Sequence, residues 1–223
     1  MSIKTILAWF HPTIDAFLTK DVPFHYRWRL LLFQPIAILI YLINTLPVLY
    51  SKRTTELEIP VRDGRTIRSL VYLPPHSSRA VGPFYKDSQS TQGGITRQPL
   101  RRLHLDIHGG AFIGGLPEAN HRFCTAVADR TGAVVVSTTY RFAPRHPFPA
   151  AIDDIDDVVS WLLENAESKL KADPECFTLS GSSAGGNLAI ATSLSNGAQQ
   201  NKFKAVVTFY APVGSLAPTH MLI

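Results

Sequence analysis

Residues 181–185 read Gly-Ser-Ser-Ala-Gly, and this stretch constrains the fold more than any other in the chain. A serine in a G-x-S-x-G setting suits a sharp turn from strand to helix, because side chains at Gly181 and Gly185 would collide. The turn lifts the Ser183 hydroxyl clear of the sheet and aims the first N–H groups of the helix, that of Ala184 foremost, at whatever binds there. It requires a strand before it and a helix after it. Phe177–Ser180 is predicted as the strand, and the small residues from Ala184 to Leu194 as the helix.

The same rhythm runs back through the sequence. Leu103–Ile107 is a strand candidate, and Ala133–Ser137 is a short apolar strand of the buried parallel type. Helices are predicted over Glu118–Arg130 and Ala150–Lys169, with Asp153, Asp154, Asp156 and Asp157 early in the second, where carboxylates favour the helix dipole. Ala205–Tyr210 is a further strand. Alternation of this kind predicts an α/β fold, a mostly parallel sheet with helices on both faces. Upstream, Glu56–Val61 and Thr66–Leu73 flank Asp63-Gly64 and read as a hairpin. Residues 74–99, rich in Pro, Ser, Gln and Gly, read as a flexible insertion. The expected organisation is a helical segment over 1–50, serving as a cap or a membrane-associated element, followed by an α/β domain over 51–223.

Residues 30–49 carry no charge and are flanked by Arg27, Arg29, Lys52 and Arg53. Twenty helical residues reach roughly 30 Å, a bilayer core. Pro35 and Pro47, with Gln34 and Asn44, are expected to confine the uninterrupted helix to about residues 36–46, which favours packing on the domain or lying on a membrane surface. The lone Lys4 and the early break at His11, Pro12 and Asp15 make a poor secretory signal, so a cytoplasmic or intracellular membrane-associated setting is expected. The formal charge is +5, but the basic residues are scattered, which argues against a nucleic-acid partner. Cys124 and Cys176 form no disulfide framework, and no Cys/His spacing suggests a metal site. No cofactor is implied, and nothing in the sequence specifies an oligomeric state.

Two further motifs carry chemistry. His108-Gly109-Gly110-Ala111-Phe112 follows a strand, and a glycine pair there lets the backbone fold back and present N–H groups to a ligand. Tyr140-Arg-Phe-Ala-Pro-Arg-His-Pro-Phe-Pro149 is a rigid bend leading into the acidic helix. With the Ser183 turn, in this order and spacing, the chain resembles the hormone-sensitive-lipase-like group of α/β-hydrolases, the alpha/beta hydrolase-3 esterases and lipases, over about residues 100–213. The resemblance implies that Ser183 is a nucleophile attacking a hydrophobic ester. It also implies an oxyanion hole from the Gly109–Ala111 stretch and Ala184, and loop support from His108. The chain departs from the family at Ser182 and Arg145, where acidic residues are usual, and at Ala111, where a third glycine is often seen. Asp106 would be costly if buried without partners.

The acid and base of such enzymes follow the serine in the order Ser…Asp/Glu…His. After Ser183 this sequence has no Asp or Glu and a single histidine, His220. The expectation is therefore a hydrolase sheet lacking its last strands, with an apolar edge at Ala205–Tyr210 and little or no turnover. The alternative is a non-catalytic remnant that binds a membrane or a partner through residues 1–50.

Overall fold

The computed structural model describes residues 10, 14, 17–18, 23–75, 100–195 and 202–213. The expected insertion at 74–99 and His220 therefore lie largely or wholly outside the described residues. Six strands form one sheet in the order β1-β2-β4-β3-β5-β6: β1 (Thr54–Pro60), β2 (Thr66–Tyr72), β3 (Arg101–Ile107), β4 (Val134–Thr138), β5 (Ala172–Ser182) and β6 (Phe203–Phe209). β1 pairs antiparallel with β2, and β2 with β4; every other pairing is parallel. The expected mostly parallel α/β sheet is the observed one.

Strand alternation divides the core. Val134 and Val136 pack with Leu103, Leu105 and Ile107 against helix α3 (Ala150–Asn165) and helix α4 (Ala184–Leu194), through Ile155, Val158, Val159, Leu162 and Leu188. Val135, between them, faces the other side and joins Leu70, Tyr72, Cys124 and Ala128, the last two from α2 (His121–Thr131). A single 3-10 turn, Pro117–Asn120, precedes α2, so the predicted helix from Glu118 starts three residues late. α3 ends at Asn165, four residues short of the prediction, and continues as a π turn over Ala166–Leu170.

The N-terminal helix differs from expectation. α1 runs unbroken from Phe24 to Leu49, 26 residues, with Pro35 and Pro47 inside it. Each proline lacks an amide donor, yet the helix continues through both. Ile38, Tyr41, Thr45 and Val48, at helical spacing, turn toward the domain. Leu39, Ile40, Ile43 and Leu46 on the opposite side are exposed. Among the described residues no helix is long and apolar enough to cross a membrane.

Two buried carboxylates are held in ion pairs. Glu118, 1% exposed, binds Arg68 at 2.6 Å. Asp154, also 1% exposed, accepts from the Arg141 backbone N–H at 2.8 Å and from its guanidinium at 2.9 Å, which pins the proline-rich bend to the start of α3. Asp153 and Asp157 pair with Arg62. Asp154 thus anchors the bend through Arg141, while Asp153 and Asp157 tie α3 to Arg62 in the turn between β1 and β2.

Candidate active site

β3 and β5 are parallel neighbours, with Ile107 paired to Gly181, so the chain leaves both strands at the same end of the sheet. There His108-Gly109 and Ser182-Ser183 lie side by side. A Cβ built on Gly109 would sit 2.9 Å from the Ser182 carbonyl oxygen and 3.2 Å from Ser183 Cβ. The approach leaves no room for a side chain.

Ser183 has φ +52° and ψ −121°, a conformation that non-glycine residues rarely adopt and that typically costs about 1–3 kcal/mol. Its N–H donates to Phe209 O at 2.9 Å, and its carbonyl accepts from Asn187 at 3.0 Å. The turn is thereby fixed between the end of β6 and the first turn of α4. Gly181 and Gly185 let the helix close onto the sheet: a Cβ at Gly185 would meet Ile107 O at 2.2 Å, and one at Gly181 would meet Gly185 O at 2.3 Å. Ser183 is half-buried, and among the described residues its hydroxyl has no hydrogen-bond partner.

Opposite it, the glycine loop takes three successive positive φ values: +136° at Gly110, +52° at Ala111 and +61° at Phe112. Ala111 therefore adopts left-handed backbone without being glycine. The N–H groups of Gly110 and Ala111 make no hydrogen bond among the described residues. The Ala184 N–H opens α4, where first-turn amides lack intrahelical partners. Three backbone donors thus have no internal acceptor around Ser183, an arrangement suited to a negatively charged oxygen.

His108 is fully buried. Its Nδ1 bonds Gly109 O at 2.6 Å and its Nε2 bonds Thr139 Oγ1 at 2.9 Å, so the neutral ring donates from Nδ1 and accepts at Nε2. It stacks on Tyr140 at 4.9 Å, and burial pushes its pKa down to about 4. Both ring nitrogens are engaged in holding the loop.

Beneath the turn lies a buried polar chain. His104 Nδ1 bonds Thr178 Oγ1 at 2.8 Å and its Nε2 bonds Ser180 Oγ at 2.9 Å, and Ser180 Oγ donates to Asp106 Oδ1 at 2.7 Å. Asn120 Nδ2 donates to Asp106 Oδ2 at 2.8 Å and lies 3.4 Å from Ser182 Oγ. Asp106 is therefore well partnered, although burial still raises its pKa. Its position in an apolar strand flags it in the sequence. Asn120, fourteen residues on, carries no local signal. No Asp, Glu or His among the described residues hydrogen-bonds Ser183, and no group of three potential ligands could hold a metal ion there.

Residues 104–221, which include both loops and the turn, match the family model described as alpha/beta hydrolase fold. Lipase 2 of Moraxella sp. is 42% identical over 101 residues, covering 45% of this chain and 23% of that protein. Ethyl acetate hydrolase of Pseudomonas putida is 31% identical over 135 residues, covering 60% and 36%. Among solved structures, a thermostable carboxylesterase from a metagenomic library superimposes with TM-score 0.62 at 29% identity, covering 83% of this chain and 57% of that one. The chain spans well under half the length of either curated relative. With a matched segment exceeding half of the sequence, the chain belongs to the alpha/beta hydrolase fold family.

Proposed function

We propose that this chain carries the nucleophile and oxyanion hole of a carboxylic-ester hydrolase, and that alone it turns over little or no substrate. The observation that carries the reading is the strained Ser183 turn facing the uncommitted N–H groups of Gly110, Ala111 and Ala184. In such a site Ser183 Oγ bonds to the ester carbonyl carbon as its proton passes to a base, and the carbonyl π electrons move onto oxygen. That oxyanion rests on the three N–H donors. Collapse expels the alkoxide, which takes up a proton, and water then releases the acid from the acyl-serine. The names of the relatives, a lipase and an ethyl acetate hydrolase, support an ester as the substrate class. The base is the weak point: no carboxylate follows Ser183 in the sequence, and neither His104 nor His108 reaches it.

The test uses the purified 223-residue chain. With a p-nitrophenyl ester, wild type and Ser183→Ala are expected to give equal, background rates. Serine-dependent turnover would overturn the claim of an incomplete site. Prolonged exposure to a fluorophosphonate is expected to modify Ser183 selectively; labelling spread evenly over the serines would overturn the nucleophile assignment.

A second reading, attachment to a lipid surface, draws support from the exposed Leu39, Ile40, Ile43 and Leu46 on α1 and the basic residues flanking its uncharged stretch 30–49.

A further inference from the structure

We propose that Tyr41 is a positioning residue for the glycine loop, so that the seating of α1 sets the geometry of the oxyanion hole. The inference rests on the reading of Gly110 and Ala111 as donors. The loop from Gly109 to Gly115 is folded flat on itself. A Cβ on Gly110 would come within 1.9 Å of Gly114 O, and one on Gly115 would be 2.2 Å from His108 Nδ1 and 2.6 Å from Gly109 O. Ile113 N–H donates back to Gly110 O at 3.0 Å. The two limbs are therefore in backbone contact, and a displacement of Gly115 is transmitted to Gly109 and Gly110 without an intervening side chain to absorb it.

Gly115 is held from outside the loop. Its N–H donates to the Tyr41 phenolic oxygen at 3.0 Å, a partner 74 residues away on α1. Tyr41 is 9% exposed and clusters with Leu116 and Ile38, an apolar surround in which this bond is not exchanged for water. Burial raises the pKa of the phenol, so it remains a neutral hydroxyl at physiological pH. Gly115 has φ +130°, a conformation an external bond helps to fix. On the opposite limb, Phe112 O accepts from Ala143 N–H at 2.8 Å, which ties that side to the proline-rich bend. The loop is thus held from two sides, and the Tyr41 side belongs to a helix whose opposite face exposes Leu39, Ile40, Ile43 and Leu46. A shift of α1 reaches the Gly115 amide directly through the Tyr41 hydroxyl, a hydrogen bond that joins the helix to this loop.

Tyr41→Phe removes that oxygen and keeps the ring between Ile38 and Leu116. Two measurements are compared with wild type. Amide hydrogen exchange is expected to accelerate about tenfold or more over residues 109–115 while the amides of β3, β4 and β5 stay unchanged. Affinity for phenylboronic acid, which forms a tetrahedral adduct on an active-site serine, is expected to fall about tenfold, with no change for the planar benzoate anion. Loop exchange identical to wild type overturns the proposal, and so does acceleration spread evenly over the sheet, which would mark a merely structural tyrosine. A wild-type chain that forms no boronate adduct removes the nucleophile reading of Ser183, and the exchange comparison alone then decides the coupling. Tyr41→Ala is expected to exaggerate the exchange effect; if it does not fold, Tyr41→Phe decides.

Discussion

Gly185→Ala tests how closely the helix after the serine turn is pressed onto the sheet. The added methyl would lie 2.2 Å from Ile107 O, 2.4 Å from His108 O and 2.7 Å from Ile107 C. Ordinary carbon–oxygen contacts begin near ~3.2 Å, so α4 and the end of β3 must part by about 1 Å. Both obstacles are backbone. Ile107 belongs to a strand paired on both sides, and His108 O accepts from Tyr140 Oη at 3.2 Å. Overpacking costs about 1–3 kcal/mol, and rigid backbone neighbours place this case near the upper end. Replacing glycine in a helix returns about 1 kcal/mol. The net loss is about 2 kcal/mol, a fall in Tm of roughly 4–8 °C for a chain of this size. Gly186→Ala is the internal control. Its methyl would meet Ala211 Cβ at 2.8 Å and Gly181 O at 3.1 Å, a milder conflict that the helix gain largely offsets. Urea and thermal unfolding followed by far-UV circular dichroism measure both. A Gly185→Ala midpoint at or above that of wild type would refute the tight packing of α4 on β3.

Two other outcomes follow from groups already described. Burial holds His104 and His108 neutral, with pKa values of about 4 against 6.5 in the unfolded chain. Below pH 6.5 the unfolded state therefore binds more protons, and stability falls as pH drops toward 4. Each histidine contributes about 1 kcal/mol of that loss between pH 7.5 and 5.5. Asp106, whose pKa is raised, acts in the opposite sense, so the histidine share is read from the flatter pH dependence of a His108→Gln variant; equal slopes would sink the assignment. For α1, co-sedimentation with phosphatidylserine-containing vesicles is expected, and an Ile40→Glu/Ile43→Glu variant should lose most of it. Equal sedimentation of the two proteins would rule out that face as the lipid contact.

The parallel core was legible because the valines at 134–136 form a short apolar run, and Leu103, Leu105 and Ile107 alternate with polar residues just before the glycine loop. The start of β5 was not. Asp173-Pro174-Glu175 resembles a loop, yet Asp173 pairs with Arg102 and the next β3 residue, Leu103, pairs with Phe177, so the proline sits in a bulge that needs no ladder donor. α1 was misjudged for a related reason: proline propensity is local, whereas the seat provided for Tyr41 and Thr45 is tertiary. The serine turn could be found from five residues because its requirements are local, two glycines and a positive φ. Asn120 and Tyr41 meet the site only through the folded chain, and no spacing announces either.

The φ of +52° at Ser183 sets stability against chemistry at one codon. Glycine would occupy that conformation without the clash that serine suffers, so folding alone favours losing the hydroxyl. A lineage with no use for the nucleophile would gain stability from that substitution and forfeit nothing. The turn therefore holds its hydroxyl at a conformational cost that glycine would not bear.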